Sequence, residues 1–213
     1  MTPASTTSSP VGFLFDLDGV LVDSEGEYSV FWGGMGSRYG LHSTFAADIK
    51  GTTIEEILLN FPEADRQGIL DELHCFESEM KYPVFPGVID FLKAMKQAGI
   101  PAAIVTSSDN VKMELLRRRQ PELLTYIDYI VTGSMITHSK PHPEGYLRGA
   151  ELIGVPIEKC YVFEDSLQGL QAGRSSGAKV IGLATTNHID KVTPLADVTY
   201  LHFAHIPFSE YAY

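Results

Sequence analysis

Asp16 and Asp18 end the apolar run Phe13-Leu14-Phe15, two acids one residue apart, followed by Gly19. A short apolar run of this kind reads as a buried strand. Two carboxylates at its end are costly unless something pairs them, and a bound cation is the usual partner. A strand-end carboxylate beside a divalent metal can attack phosphorus, and a second can move protons. Asp16 suits the nucleophile. Asp18 suits the general acid and base, and its backbone carbonyl can ligate metal. Gly19 permits a tight exit turn.

Three further groups fall at or just after predicted strand ends. Thr106 ends Ala103-Ile104-Val105 and is followed by Ser107. Its hydroxyl, and the amide of Ser107, can donate to a phosphoryl oxygen. Lys140 lies in Ser139-Lys140-Pro141, and Glu164-Asp165 end Tyr161-Val162-Phe163. Charge explains why such parts belong together. A phosphomonoester carries nearly two negative charges, so attack on it by a carboxylate needs compensation. Mg²⁺, a hard cation that takes a few carboxylates plus phosphate, supplies most of it. Lys140 supplies the rest as a point charge. Each group alone has a plainer explanation: a surface acid pair, a β-forming threonine, a solvated lysine, a helix cap. Four of them in this order, each at a strand end, make the joint chemical reading the stronger one.

The elements that must position these groups follow from the apolar pattern. Segments 11–17, 102–106, 129–132, 160–163 and 179–183 read as strands, with a weaker sixth at 198–202. Helical patterns at 88–98, 111–119, 143–153 and 167–176 lie between them. Strands alternating with helices predict a parallel α/β sheet with right-handed crossovers and both faces covered. Ligands bind outside the carboxyl ends of such strands. Gly169, Gly173 and Gly177 are read as a helix face packed close to the sheet rather than as a phosphate loop. The aromatic C-terminus, from Tyr200 onward, is read as an edge strand with a packed tail, or as a contact surface.

Residues 25–85 differ in kind, having no clear strand. Patterns at 54–60 and 64–80 are amphipathic helices. A first pattern at 27–39 carries Gly33, Gly34 and Gly36 and is expected to be bent or interrupted. Pro83 and Pro86-Gly87 mark the exit. The expected organisation is therefore a tail at 1–10, a catalytic core of 11–24 and 86–213, and a helical insertion of 25–85.

Bulk properties exclude some functions. The chain of 213 residues carries a formal net charge of −11, which disfavours binding to a nucleic acid backbone. The basic run Arg117-Arg118-Arg119 follows Glu114 at helical spacing and reads as a solvated face. Cys75 and Cys160 lack metal-type spacing, and a reducing cytoplasm fits them. The Ser/Thr/Pro-rich residues 2–10 read as a disordered tail without signal-peptide character, and no apolar run is long enough to span a bilayer. A monomer with neither nucleic acid nor membrane as partner is expected.

The whole ordered chain resembles the haloacid dehalogenase (HAD) superfamily, and within it the β-phosphoglucomutase-like phosphatases. Asp16 and Asp18 match its first motif, Thr106 the second, Lys140 the third and Glu164-Asp165 the fourth, acidic metal motif. The resemblance implies a Rossmann-like core, an α-helical cap domain inserted after the first motif, and Mg²⁺ held by Asp16, Asp18, Glu164 and Asp165. It implies an aspartyl-phosphate at Asp16, with Asp18 protonating the leaving group and then activating water. The cap would close over the site and select the substrate.

Relatives with other chemistries differ at identifiable positions. Dehalogenases lack the second acid of the first motif, and phosphonatases look like DxA there, so Asp18 opposes both. The serious competitor is a β-phosphoglucomutase-type mutase, which must grip a second phosphate. The mutases resembled do so with an arginine shortly after a cap Lys-Gly and a lysine just past the second motif. Here Ile54 stands at the first place and Asp109, better suited to capping a helix, at the second. Between residues 27 and 79 lie ten acids, against Arg38, Lys50, Arg66 and Lys81 over the same stretch and just beyond. The expectation is hydrolysis of a small phosphomonoester, a sugar phosphate above others. Ser107, Lys50 and Gly51 are the expected substrate contacts, with the stretch from Glu25 to Tyr28 nearby. His138 and His142 are expected at the surface, and Trp32 and Tyr39 in the core of the insertion. A non-catalytic binding module is the reading of a different class, and it would be favoured by a lost catalytic residue, of which there is none.

Overall fold

Phe13, Leu14 and Phe15 have no solvent exposure, which puts their strand, β1 (Gly12–Phe15), in the middle of the molecule. In this computed structural model, which describes residues 11–211, β1 is flanked on both sides. The chain continues through α1 (Glu25–Arg38), α2 (Phe45–Asp48), α3 (Ile54–Leu58), α4 (Arg66–Glu79) and α5 (Val88–Gln97) to β2 (Ala102–Val105). It then forms α6 (Asn110–Arg119), α7 (Pro121–Leu124), β3 (Tyr129–Val131), α8 (Glu144–Ile153), β4 (Cys160–Glu164), α9 (Leu167–Ser176), β5 (Lys179–Leu183), α10 (Ile189–Val192) and β6 (Val198–Tyr200). The expected tail at residues 1–10 lies outside the described residues.

All six strands are parallel, in the order β3-β2-β1-β4-β5-β6. The parallel sheet expected of the α/β pattern thus has a Rossmann-like strand order, and its direction reverses beside β1. The crevice therefore opens between the carboxyl ends of β1 and β4. Register fixes what stands there. Phe15 pairs with Ile104 on one side and Phe163 on the other, so Asp16 emerges level with Glu164 and one residue short of Thr106.

Alternating side chains fill two cores. Phe13, Phe15, Ile104 and Phe163 face one way, against Phe91 and Leu92 of α5, Met113 and Leu116 of α6, and Phe203, Ile206 and Tyr211 of the C-terminal tail. Leu14, Ala103, Val105 and Val162 face the other way, against Tyr146 and Ala150 of α8 and Ala172 of α9. The C-terminus is thus an edge strand plus a packed tail. Gly169 and Gly173 let α9 press onto Glu164 and onto Val162 and Val180, as the close-packing reading requires. Gly177 instead ends the helix, in the left-handed conformation at φ +90°.

Helices α1 to α4 surround a separate apolar cluster that includes Trp32, Met35, Phe45, Ile57, Phe61, Ile69 and Leu73. The first helix, expected to be bent or interrupted, is not interrupted: α1 runs unbroken for 14 residues. Its glycines do not break it because tertiary contact outweighs propensity, and Gly36 is where Phe45 packs, 3.2 Å from where a Cβ would stand. Tyr28 and Phe76 pack against both this cluster and the main core. The chain enters and leaves this helical unit side by side. Val22 and Val84 form an antiparallel bridge, the Asp23 N–H donates to the Pro83 carbonyl at 2.8 Å, and the Phe85 N–H donates to the Leu21 carbonyl at 3.1 Å. No helix among the described residues is long and apolar enough to cross a membrane.

Candidate active site

Asp16 leaves β1 with its N–H still donating to the Phe163 carbonyl at 3.0 Å, so its backbone is fixed by the sheet. Its Oδ1 accepts from Lys140 Nζ at 2.7 Å, and the same ammonium donates to Glu164 Oε1 at 2.6 Å. All three side chains are buried. Glu164 is further held by Tyr146, whose hydroxyl donates to Oε1 at 2.8 Å. Its Oε2 accepts from the Asp165 N–H, the Ser166 N–H and the Ser166 hydroxyl. Ser166, not Glu164 or Asp165, caps α9, accepting from the Gly169 N–H at 3.0 Å.

Asp165 is buried beside them. Its Oδ2 accepts from the Thr186 hydroxyl, while its Oδ1 has no hydrogen-bond partner. Gly19, at φ +78°, turns the chain past this carboxylate, and a Cβ there would overlap it. Asp16, Glu164 and Asp165 bring ligand atoms within 4.8 Å of one another. If all three are ionised, these carboxylates outweigh the one ammonium of Lys140 by two negative charges. Burial pushes the Asp16 carboxyl up to about 8, with Lys140 pulling against it and Glu164 and Asp18 adding to it. Asp165 is raised too, by burial first and then by Glu164 and Asp16. Burial alone would lower Lys140, but Asp16 and Glu164 outweigh it and raise its pKa. An all-oxygen donor set, an orphaned buried oxygen and a surplus of two charges fit a hard divalent cation.

Asp18, Asp16 and Asp165 all line one cavity. Asp18 Oδ1 accepts from the Ser24 hydroxyl. Its Oδ2 accepts from Ser108 Oγ at 3.1 Å and from Lys112 Nζ at 2.5 Å. Thr106 is buried, with its hydroxyl donating to Ser108 Oγ at 2.9 Å. Ser107 donates to the Gly51 carbonyl at 2.7 Å and so joins the core to the helical unit. Lys50 is not solvated: it pairs with Glu25 at 3.0 Å on the cavity wall. Gly51, at φ +84°, lies against Ser166 and Gln168. Trp32, Ile49, Ile54, Ile57 and Leu73 form an apolar wall on the helical side. Of the residues singled out from the sequence, Lys140 joins Glu164 to Asp16, and Asp16, Asp18, Lys50, Gly51, Thr106, Ser107 and Asp165 line one cavity. His138 and His142 do not, being exposed with Glu144 between them. Tyr39 packs on Phe61, inside the helical unit.

Several contributors escaped the sequence reading. Lys112, Tyr146 and Thr186 each touch an acid that it had named. Thr186 had a usable signal, since Thr185-Thr186-Asn187 follow the carboxyl end of β5 just as the recognised groups follow β1, β2 and β4. Lys112 had a weaker one. It is a cation in the first turn of α6, where the helix dipole disfavours positive charge.

A doubly wound sheet with buried acids at its switch point, under a helical unit, defines a class of α/β enzymes acting at that crevice. The family model for haloacid dehalogenase-like hydrolases matches residues 11–177. The chain is 34% identical over 180 residues to hexitol phosphatase A of Escherichia coli, covering 81% of this chain and 82% of that one. It is 32% identical over 185 residues to a phosphorylated carbohydrates phosphatase of Thermotoga maritima, covering 79% and 82%. Among solved structures, a family IA HAD hydrolase from Entamoeba histolytica superposes with a TM-score of 0.82 at 24% identity, over 95% of this chain and 97% of that one. A β-phosphoglucomutase from Clostridium difficile gives 0.79 at 21%, over 93% and 94%, which speaks for the fold alone. The chain belongs to the haloacid dehalogenase-like hydrolase family.

Proposed function

We propose that this protein is a Mg²⁺-dependent phosphatase of small sugar or polyol monophosphates, working through an aspartyl-phosphate at Asp16. The observation that carries the reading is Asp16 itself. Lys140 pins its Oδ1, it stands beside Asp165 with its orphaned oxygen, and it lines a cavity that Asp18 also lines. The named activities of the Escherichia coli and Thermotoga maritima relatives support a phosphorylated carbohydrate as substrate. Residues 25–85 act as a cap, since the cavity takes its walls from both the core and α1, α3 and α4. The free thiols Cys75 and Cys160 support a reducing cytoplasm.

Bound through Asp16, Asp165 and the Asp18 carbonyl, the metal would neutralise phosphoryl charge and align the phosphorus with Asp16. Glu164 belongs to the same acidic cluster. With five hydrogen bonds already on its two oxygens, its part is to aim Lys140. In the first step an Asp16 oxygen bonds to phosphorus as the ester P–O bond breaks, and the Asp18 proton passes to the leaving alkoxide. Lys140, the Thr106 hydroxyl and the Ser107 N–H hold the phosphoryl oxygens. In the second step water attacks phosphorus and gives its proton to Asp18. The acyl-phosphate bond breaks, returning the Asp16 carboxylate and inorganic phosphate. Lys50 and Glu25 meet the alcohol portion of the substrate.

Transfer to a second hydroxyl of a phosphosugar would need a grip on a second phosphate. Ile54 lines the cavity where one such cation is expected, and Asp109 caps α6 by accepting from the Lys112 N–H at 2.9 Å. The test is phosphate release from a panel of sugar, polyol and other metabolite phosphates, with and without chelator, alongside Asp16→Asn. Release that chelation stops and that the variant lacks, in a folded protein, supports the reading. A fully active Asp16→Asn sinks it. Conversion of β-glucose 1-phosphate to glucose 6-phosphate with little free phosphate would establish the mutase instead.

A further inference from the structure

Lys112 is only 3% exposed, and such a cation needs partners. Its Nζ donates to Asp18 Oδ2 at 2.5 Å, the oxygen that also receives the Ser108 hydroxyl. The ring of Tyr28, on α1 of the helical unit, lies over the ammonium at 4.2 Å, and Tyr82 flanks it at 5.9 Å. Tyr28 is itself fixed, since its hydroxyl donates to Glu77 Oε1 of α4 at 2.7 Å. A single side chain of the core thus joins Asp18 to the inner wall of the helical unit.

We infer that Lys112 is a positioning residue that fixes the Asp18 carboxylate for proton transfer, and that Tyr28 holds Lys112 in place. The inference rests on the phosphatase reading above. Asp18 stands past the end of β1 in an isolated bridge with Val22, and side chains from three places in the chain hold its carboxylate. Lys112 and Ser108 hold one oxygen and Ser24 the other. With the aromatic faces around it, the ammonium is shielded from water, which strengthens its grip on Asp18. The lysine emerges one helical turn beyond Asp109. Because it is spent on Asp18, with Glu77 close by, it is not free to hold a second substrate phosphate. The same contact therefore supplies an acid/base device and counts against a mutase.

The experiment compares Lys112→Met, Lys112→Arg, Tyr28→Leu and Asp18→Asn on two substrates. An alkyl phosphate needs its leaving oxygen protonated, whereas 4-nitrophenyl phosphate releases a phenolate without help. Lys112→Met is expected to lower kcat for the alkyl substrate about 10²-fold with little change in KM. With the aryl substrate the first-turnover burst should stay within about threefold of the native rate while steady turnover falls, because only the second step needs Asp18. Lys112→Arg should recover part of the loss, and Tyr28→Leu should show the same pattern more weakly. A merely structural role would depress burst and steady rates together and would overturn the inference. So would an active Lys112→Met beside an inactive Asp18→Asn. If Lys112→Met fails to fold, Tyr28→Leu with an unchanged alkyl kcat overturns it equally. An active Asp18→Asn would instead sink the acid/base reading on which the inference stands.

Discussion

Gly169 faces the carboxylate of Glu164 so closely that a Cβ at this position would overlap both of its oxygens. The first turn of α9 can therefore close over Glu164 only where the helix has no side chain, and Glu164 in turn aims Lys140 at Asp16. Gly169→Ala is expected to destabilise the protein by about 1–3 kcal/mol as an overpacked core position. Because the displaced group orients Lys140, kcat should fall by more than the stability loss alone explains. Thermal unfolding and steady-state kinetics on the folded variant check both.

Mg²⁺ should raise thermal stability, because a cation answers the surplus charge around Asp16, Glu164 and Asp165 and the unpartnered Oδ1 of Asp165. At a hundred times its dissociation constant the gain is about 2.7 kcal/mol. Asp165→Asn should lose most of that gain and be more stable than the native protein without metal, since it removes one of three crowded charges. A melting temperature that ignores Mg²⁺ in the native protein would rule out a metal at these residues.

Glu77, on α4 of the helical unit, gives a pH dependence of its own. Burial raises its pKa, with Asp109 adding and Lys112, the Tyr28 hydroxyl and His74 opposing. A carboxyl whose folded pKa is raised favours the fold while it stays protonated. That stability is complete below the ordinary carboxylate pKa and is lost as pH rises through the raised value. Glu77→Gln keeps an acceptor for Tyr28 and cannot ionise. It should match the native protein at low pH and exceed it in stability as pH rises above the ordinary carboxylate range. Denaturant unfolding across that range checks the sign, and a variant less stable at every pH would show that the carboxylate form is the favoured one.

How much was legible from the sequence followed from how local each signal is. Each strand is a short apolar run, and each strand-end group adjoins its run, so β1, β2 and β4 declare Asp16, Thr106 and Glu164 directly. The same rule applied to β5 would have reached Thr186. Lys112 was hidden because its partner Asp18 lies 94 residues earlier and only the tertiary fold brings them together. The glycines of α1 misled in the opposite direction. Their propensity cost is real, but it is small beside the burial of Trp32 and Met35 and the seat that Gly36 offers Phe45.

The paired connections at Val22 and Val84 make the helical unit separable in an evolutionary sense. Both ends of the insertion leave the core at neighbouring points, so its internal length and layout place little demand on the sheet. The entropy of closing such a loop grows only with the logarithm of its length. A different insert with ends equally close could take its place while Asp16, Lys140 and Asp165 kept their positions. On the proposed function, reaction and selectivity would lie on parts of the chain free to diverge at different speeds, the first constrained by the register of β1 and β4, the second by little more than two adjacent stretches of linker.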